Sequence, residues 1–211
     1  MAWFLSNLRY VAWTTLVLGL LFFVAFAMGE GSFGFSDSKF WEALLRWLHV
    51  LSGIMWIGLL YYFNFVQIPN MPKIPDDQKP AIGKVIAPAA LFWFRWSAMA
   101  TLVFGILIAW VRNYLFEALS LGAMDNPSFA VPGHTFIGIG MWLAIVMWFN
   151  VWFVIWPNQQ KALNIDNKYP NLKPEEKAAA GKTAMLFSRT NTFLSVPMLV
   201  AMTGAQTLFL G

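Results

Sequence analysis

The hydrophobic residues of the chain form five long blocks separated by short polar stretches. The blocks cover approximately residues 10–28, 40–68, 88–111, 132–156 and 183–210. Each block is long enough to cross a hydrocarbon core of about 30 Å, which takes roughly 20 helical residues. None shows the alternation of a transmembrane β-strand, and backbone amides in lipid must be satisfied by helices or closed barrels. The pattern predicts an all-α polytopic membrane protein, one membrane domain of residues 1–211 with about five transmembrane helices.

The composition supports this prediction and excludes several kinds of chemistry. Hydrophobic residues make up 59% of the chain and charged residues 11%, whereas soluble domains carry about 25% charged residues. The chain has no cysteine, which excludes disulfides, iron–sulfur clusters, thiol catalysis and covalently attached c-type haem. The basic residues lie in loops beside the apolar blocks, so the net charge of +4 indicates membrane topology and not nucleic-acid binding.

The first block has two interpretations. Arg9 precedes it and Ala25-Phe26-Ala27 resembles a signal-peptidase site, but we interpret the segment as a retained first helix. The most polar segment is 157–182, between the last two blocks. Within it, Pro174 is followed by two glutamates, the pattern of a first helical turn. We expect that helix to continue into the fifth block.

The distribution of lysine and arginine predicts the orientation of the helices. The loops after the second and fourth blocks are lysine-rich, and with five helices the N-terminus lies on the same side as these loops. The positive-inside rule therefore places the N-terminus and segment 157–182 in the cytoplasm and the C-terminus outside. The lysines concerned are Lys73, Lys79, Lys84, Lys161, Lys168, Lys173, Lys177 and Lys182.

Polar residues within a bilayer are costly, so each is a candidate site residue. One group lies on the second helix at spacings that put its members on a single face. Glu42 and Arg46 are expected to pair, since they are four residues apart. The members of this group are Glu42, Arg46, His49, Gly53 and Trp56.

The only two histidines each have a glycine four residues later. His49 precedes Gly53 and His134 precedes Gly138. A glycine one turn from a histidine leaves space for a flat ring, so His49 and His134 are candidate iron ligands of a b-type haem, bound between these residues. Alternatively, the glycines permit close helix packing and the histidines bond to polar neighbours.

Two further residues belong to the haem hypothesis. The haem propionates would approach Arg46, which lies one turn outward of His49, although Glu42 competes for that guanidinium. If His134 lies too near the surface to reach the depth of His49, another side chain such as Met141 would fill the second axial position.

A second polar group lies toward the lysine-rich side. Two arginines fall about two turns into the third and fifth helices, where amide and hydroxyl side chains lie at a similar depth. Buried arginine requires a carboxylate, phosphate or carbonyl partner. The group therefore predicts a site for a quinone, a purine anion or haem propionates, or else arginines that reach lipid phosphates. Its members are Arg95, Arg189, Asn64, Gln67, Asn150 and Asn191.

Four stretches that contain these polar positions resemble a known family. They are residues 49–67, 92–97, 150–159 and 188–197, and together they resemble the bacterial urate oxidase N-terminal membrane domain. That domain is the membrane part of a cytochrome-c-linked urate hydroxylase, which is longer and ends in a cytochrome c domain. The present chain is expected to be a truncated relative without that domain. A more distant resemblance, at Asn191 and Pro197, is to the membrane-bound protoporphyrinogen oxidase of bacteria, which uses a b-type haem.

The resemblance implies a redox protein of the bacterial inner membrane. It implies electron exchange with a separate cytochrome c or quinone, and whether the chain is itself an enzyme is left open. The alternative is a non-catalytic accessory or scaffolding subunit, which the absence of an acid–base pair at one clear site favours. In either case the partners are the lipid bilayer and further protein, as a homo-oligomer or within a larger membrane assembly, because five helices have little interior for so many bulky aromatic residues.

Overall fold

The computed structural model describes residues 2–29 and 34–209, and this part of the chain contains helices and no strand. Its five long helices are α1 (Leu8–Met28), α2 (Ser38–Lys73), α3 (Lys79–Val111), α4 (Pro132–Leu163) and α5 (Pro174–Leu208). The all-α class predicted from the hydrophobic pattern is confirmed. The last predicted residue of the fifth block, Leu210, lies outside the described residues.

Within the described ranges, α1, α2, α3 and α4 are long and apolar enough to cross a membrane. The 35-residue α5 does not meet that standard, because the polar run from Ser188 to Thr192 interrupts its apolar sequence. The chain is an all-α polytopic membrane protein, and its fifth long helix is the least apolar of the five.

Three prolines that were expected to bound helices lie inside them. Pro69, Pro88 and Pro157 each follow, by two residues, the end of a π-helical turn: Tyr62–Gln67, Ile82–Ile86 and Asn150–Ile155. A proline cannot donate to the carbonyl four residues earlier and its ring crowds that carbonyl. A wider turn with i→i−5 hydrogen bonds removes both problems. The predicted helix limits at residues 68, 88 and 156 were therefore wrong.

The connections between these helices are short as a result. The polar segment predicted over 157–182 is reduced to residues 164–173, because α4 extends through Leu163. The start of α5 at Pro174 agrees with the prediction from the sequence. We call the end of the bundle that carries residues 73–84 and 161–182 the lysine-rich end. The opposite end carries residues 112–131, which include the short helix Leu115–Leu119.

Local hydrogen bonds explain where two of the long helices begin. The carboxylate of Asp37 accepts a hydrogen bond from the backbone N–H of Lys39 at 2.8 Å, which caps α2. The carboxylate of Glu176 accepts from the backbone N–H of Lys173 at 2.8 Å at the start of α5. Both contacts satisfy backbone donors that have no partner within the helix.

The core lies between α2, α3, α4 and α5, where Trp56, Leu60, Phe94, Met147 and Val151 are fully buried. None of the described residues of α1 is buried. That helix contacts α2 at its edge, through Phe23 against Phe40 with ring centroids 5.2 Å apart. The candidate site residues therefore belong to a four-helix core, and α1 is peripheral to it.

Candidate functional site

A large cavity opens among α2, α3, α4 and α5 toward the end opposite the lysines. Its volume is about 650 Å³ and its walls are mainly apolar. We call it the His49 cavity, because His49 is the one imidazole among its lining residues. The other lining residues used below are Arg46, Gly53, Trp56, Gly105, Tyr114 and Met141.

The imidazole of His49 is held by the backbone of α3. Its Nδ1 lies 2.9 Å from the carbonyl oxygen of Thr101, and since a carbonyl only accepts, Nδ1 carries the proton and donates. The other ring nitrogen, Nε2, is then unprotonated and available as a ligand or a hydrogen-bond acceptor. A histidine whose second nitrogen donates to a backbone carbonyl is the usual arrangement of a metal-binding imidazole.

Glycine at position 105 makes room for this imidazole. A Cβ at Gly105 would lie 3.0 Å from Cε1 and 3.2 Å from Nδ1 of His49. Those distances are shorter than ordinary carbon–carbon contacts. Gly105 was not among the residues selected from the sequence, because its role depends on the packing of α3 against α2 and not on its spacing from His49.

The two glycines that follow the histidines have different surroundings. Gly53 lines the His49 cavity, and a Cβ there would come no closer than 4.0 Å to Thr101. A Cβ at Gly138 would lie 2.1 Å from the carbonyl oxygen of Ala118. Gly53 therefore leaves open space beside His49, as the haem hypothesis expects, whereas Gly138 permits the short helix Leu115–Leu119 to pack against α4.

His134 is engaged away from the cavity wall. Its Nδ1 lies 2.7 Å from Oδ1 of Asp125, whose side chain is 2% exposed. Its ring stacks on Tyr114 with centroids 5.9 Å apart, and it is Tyr114 that lines the cavity. The structure thus does not bring His134 and His49 together on one wall, and the polar-neighbour alternative describes His134.

Asp125 is a functional residue that the sequence reasoning missed. Its carboxylate also accepts a hydrogen bond from the backbone N–H of Val131 at 3.1 Å. The hydrogen bond with His134 is the main reason why the pKa of Asp125 lies below its ordinary value, and the Val131 bond adds to the effect. No helical periodicity relates residues 125 and 134, because a turn-rich loop separates them.

Charged side chains lie where the His49 cavity approaches the membrane surface. Arg46 lines the cavity and pairs with Glu42 at 2.5 Å, as the i, i+4 spacing predicted. The same Glu42 oxygen lies 3.7 Å from Nε of Arg112. One carboxylate is therefore shared by two guanidinium groups at this rim of the cavity.

Three of the predicted amide residues near the lysine-rich end, Asn64, Asn150 and Asn191, are buried and hydrogen-bonded, whereas Gln67 is half-buried and its Oε1 has no partner among the described residues. Asn150 donates to Oδ1 of Asn191 at 2.8 Å, and Asn191 donates to the carbonyl of Met147 at 2.9 Å. Asn64 donates to Ser188 at 2.8 Å. These contacts join α2, α4 and α5 in the interior, as the depth of the amides in the sequence suggested.

The two arginines predicted beside these amides do not meet in one site. The guanidinium carbon of Arg95 lies 3.3 Å from the ring centroid of Trp156, and its Nε donates to the carbonyl of Leu91 at 3.2 Å. Arg189 is exposed on α5. Ser188 and Asn191 occupy the buried face of that helix, so the side chain between them points outward. An interior anion site would contain Arg95 alone.

Comparison with known proteins finds a similarity to one family over part of this arrangement. A sequence model of the family described as "Urate oxidase N-terminal" matches residues 125–207, which is less than half of the chain. The resemblance inferred from the sequence is confirmed over that range, which includes Asp125, His134, Asn150 and Asn191. His49 and Arg95 lie outside it. No curated protein and no solved structure matches the chain.

Proposed function

From a membrane chain that matches the urate oxidase N-terminal family over residues 125–207, we infer a membrane redox protein that holds a b-type haem in the His49 cavity, with His49 as an axial ligand. One observation carries the proposal. His49 lines an apolar cavity of about 650 Å³ while its Nδ1 is fixed on the carbonyl of Thr101, which leaves Nε2 as the ligand atom.

The residues of the cavity fit such a group. The volume lies within the roughly 300–1,000 Å³ of small-molecule and cofactor sites. Gly53, Gly58 and Gly105 line it, so no side chain from these positions fills the space near His49. Among the described residues no cluster of three or more His, Cys, Asp or Glu side chains could hold a bare metal ion. A haem needs only axial ligands from the protein.

The second axial ligand is best supplied by methionine. His134 is bonded to Asp125 and stacked on Tyr114, whereas Met141 lines the cavity with His49. Met198 and Met202 lie on the same cavity wall and are the substitutes if Met141 is removed. A histidine–methionine pair raises the reduction potential of haem relative to two histidines. The original assignment of His134 as a ligand is thus replaced by Met141 in this proposal.

The other residues of the cavity have simple roles in it. When bound, haem supplies one-electron chemistry. The protein excludes water with apolar side chains, fixes the imidazole through Thr101, and offers Arg46 and Arg112 to the propionates. Glu42, which these guanidinium groups share, competes with the propionates for them.

The proposal also includes the orientation of the protein in the membrane and its partners. The lysine-rich end faces the cytoplasm of a bacterium, and the C-terminus faces the periplasm across the inner membrane, because lysine-rich loops are retained inside. Electrons then pass to or from a separate cytochrome c or a quinone. Exposed aromatic residues such as Trp93, Trp96 and Phe193 support packing against further copies or a larger assembly as well as against lipid.

The test is a reduced-minus-oxidised absorption spectrum of the full chain, purified without depletion of haem. We expect a Soret band in wild type and its loss in His49→Ala. His134→Ala is the matched control and should retain haem. A well-folded wild type without a Soret band would end the proposal and favour the accessory-subunit alternative. Loss of haem only in His134→Ala would reverse the ligand assignment.

A quinone is the second candidate occupant, and a specific observation favours it. Trp56 is 1% exposed and lines the cavity, and its Nε1 has no hydrogen-bond partner among the described residues. A buried indole N–H calls for an acceptor. In the oxidised form, a quinone carbonyl would supply that acceptor. In the reduced form, a quinol hydroxyl would donate to the unprotonated Nε2 of His49. Quinone retained by wild type and lost in Trp56→Phe, without a Soret band, would favour this occupant.

A purine anion has less support than either of these occupants. Its recognition was expected from Arg95 and Arg189 together with nearby amides, but Arg189 is exposed. Asn150 and Asn191 are bonded to each other. Urate binding to the purified chain, weakened by Arg95→Gln, would restore that hypothesis.

A further inference from the structure

A stripe of buried polar side chains runs along α5 in the half of the bundle near the lysine-rich end. Ser188, Asn191 and Ser195 lie at i, i+3 and i+7, and the last two are 0% exposed. The stripe faces α2, where the hydroxyl of Tyr61 lies 2.9 Å from Oγ of Ser195 and Asn64 donates to Ser188 at 2.8 Å. Polar contacts therefore follow the α2–α5 interface within the membrane.

Two acceptor atoms beside this stripe lack donors. Oδ1 of Asn64 and Oε1 of Gln67 are buried without a hydrogen-bond partner among the described residues. The orientation of the Asn64 amide is fixed, because its NH₂ group donates to the carbonyl of Leu60 at 2.9 Å as well as to Ser188. Buried acceptors of this kind are almost always satisfied. A donor that is not a protein side chain is therefore required here.

A small cavity adjoins Gln67 and Ser188, the residue to which Asn64 donates. It has a volume of about 40 Å³ and is lined by Gln67, Gln159 and Ser188 among apolar side chains. We call it the Gln67 pocket. By the measure of roughly 10–15 Å³ for one water, it holds about two or three water molecules. It is too small for an organic ligand, and none of its lining residues carries a carboxylate to attract a cation.

We propose that the Gln67 pocket is a water-binding site that opens to the lysine-rich end, so that solvent reaches Ser188 inside the bilayer. Water in the pocket supplies the donor that Oε1 of Gln67 lacks. The route to the surface passes Gln67 and Gln159, which are both partly exposed. The π-helical turns Tyr62–Gln67 and Asn150–Ile155 widen α2 and α4 on either side of it.

The position of this site has a consequence for the His49 cavity. The Tyr61–Ser195 contact lies about one turn from Gly58 and Met198, which line that cavity. Hydroxyl groups both donate and accept, so Tyr61 and Ser195 extend the polar side chains of the stripe to the edge of that cavity, where they can exchange a proton with its occupant. This consequence rests on the proposed redox function, whereas the hydration of the pocket does not.

The absence of cysteine allows a direct test by cysteine substitution. Ser188→Cys places a thiol at the pocket, and Ser97→Cys is the matched control, since Ser97 is also buried but bonds to its own helix at Phe94. Thiols react as thiolates, which form only where water is present. We expect Ag⁺ to block Ser188→Cys at least about tenfold faster than Ser97→Cys in lipid discs. The readout is mass-spectrometric counting of thiols still open to a maleimide after unfolding.

Two further substitutions and a hydrogen-exchange measurement complete the test of the water-binding site. Adding Gln67→Leu to Ser188→Cys should slow its reaction, because the leucine removes an acceptor and fills the pocket, whereas Phe65→Leu, at an exposed position on the same helix, should not. Equal rates at positions 188 and 97 would overturn the proposal. Hydrogen exchange of the unsubstituted chain gives an independent reading: segment 185–192 should exchange faster than segment 97–104. Neither readout needs haem, so a missing Soret band leaves this test intact.

Discussion

Nδ1 of His134 lies 2.7 Å from Oδ1 of Asp125, and this pair fixes the first turn of α4 to the loop that precedes it. The backbone N–H of Val131 donates to the other carboxylate oxygen at 3.1 Å, so one buried side chain holds both ends of a seven-residue turn. Tyr114, which stacks on His134, also lines the His49 cavity. The pair therefore lies behind Tyr114 and outside the lining of the cavity.

Substitution of Asp125 should change the response of the fold to acid. The hydrogen bond from His134 keeps the pKa of Asp125 below its ordinary value, about 3.9 in an unfolded chain. A carboxyl with a lowered folded pKa stabilises the fold above its unfolded pKa. That contribution is lost as the pH falls through the folded value. Asp125→Asn should be less stable at neutral pH and should lose less stability than wild type on acidification below about pH 4.

The measurement is thermal unfolding in detergent between neutral and acidic pH. Asp77→Asn, at an exposed position in the lysine-rich loop, is the control and should follow the wild-type curve. Parallel curves for wild type and Asp125→Asn would show that the pair makes no pH-dependent contribution.

Gly138→Ala should destabilise the protein by overpacking. The added Cβ would lie 2.1 Å from the carbonyl oxygen of Ala118, a backbone atom that cannot rotate away. Forcing extra atoms into a packed contact costs about 1–3 kcal/mol. Gly58→Ala is the matched control, because nothing lies within 4 Å of its added Cβ and alanine favours a helix by roughly 0.8–1 kcal/mol. Equal unfolding free energies for the two variants would contradict the packing role of Gly138.

Removal of the Asn191 side chain should leave one buried partner unsatisfied. Asn150 would lose its acceptor, whereas the carbonyl of Met147 would keep its bond from the backbone N–H of Asn150. Unsatisfied buried polar groups cost about 1–3 kcal/mol each. Asn191→Ala should therefore lower the unfolding free energy by that order, whereas Thr190→Ala, on the exposed side of the same turn, should be nearly neutral. A neutral Asn191→Ala would mean that water replaces the amide.

The sequence predicted which segments form long helices, but it did not predict where those helices end. Long apolar blocks specify transmembrane segments because lipid admits little else. Proline is normally a reliable helix boundary, but at Pro69, Pro88 and Pro157 a π-helical turn precedes it. The choice between i→i−4 and i→i−5 hydrogen bonds depends on tertiary packing, so the composition of the segment does not reveal it.

The sequence predicted those residues of the candidate site that lie on a single helix. Glu42, Arg46, His49 and Gly53 follow from helical spacing, and their arrangement agrees with it. The relation between His134 and Asp125 crosses a loop, and the room that Gly105 gives to His49 depends on how two helices approach each other. Neither leaves a periodic signal in the sequence. Arg189 does not face the interior of the bundle, because the buried face of α5 belongs to its neighbours Ser188 and Asn191, which leaves an oligomer interface or lipid phosphates as its predicted surroundings.

The proposed orientation predicts the behaviour of C-terminal fusions. An alkaline phosphatase attached after the last residue should be active, and a fluorescent protein at the same position should be dark, because the C-terminus lies outside the cytoplasm. The reason is the retention of lysine-rich loops on the cytoplasmic side. The same fusions within loop 164–173 are the control and should give the opposite pattern. Fluorescence at the C-terminus with an inactive phosphatase would invert the topology.

Gly105→Ala should disturb the environment of His49 without unfolding the protein. The added Cβ would lie 3.0 Å from Cε1 of the imidazole, so the ring must shift by a few tenths of an ångström and its bond to the carbonyl of Thr101 must lengthen or tilt. Because that bond orients the ligand nitrogen, we expect a shifted or weakened Soret band in the haem-loaded protein. Gly83→Ala is the control: its Cβ would make only an ordinary contact with Leu163 at 3.5 Å. A spectrum and haem content identical to wild type in Gly105→Ala, at an unchanged melting temperature, would show that His49 does not hold the haem.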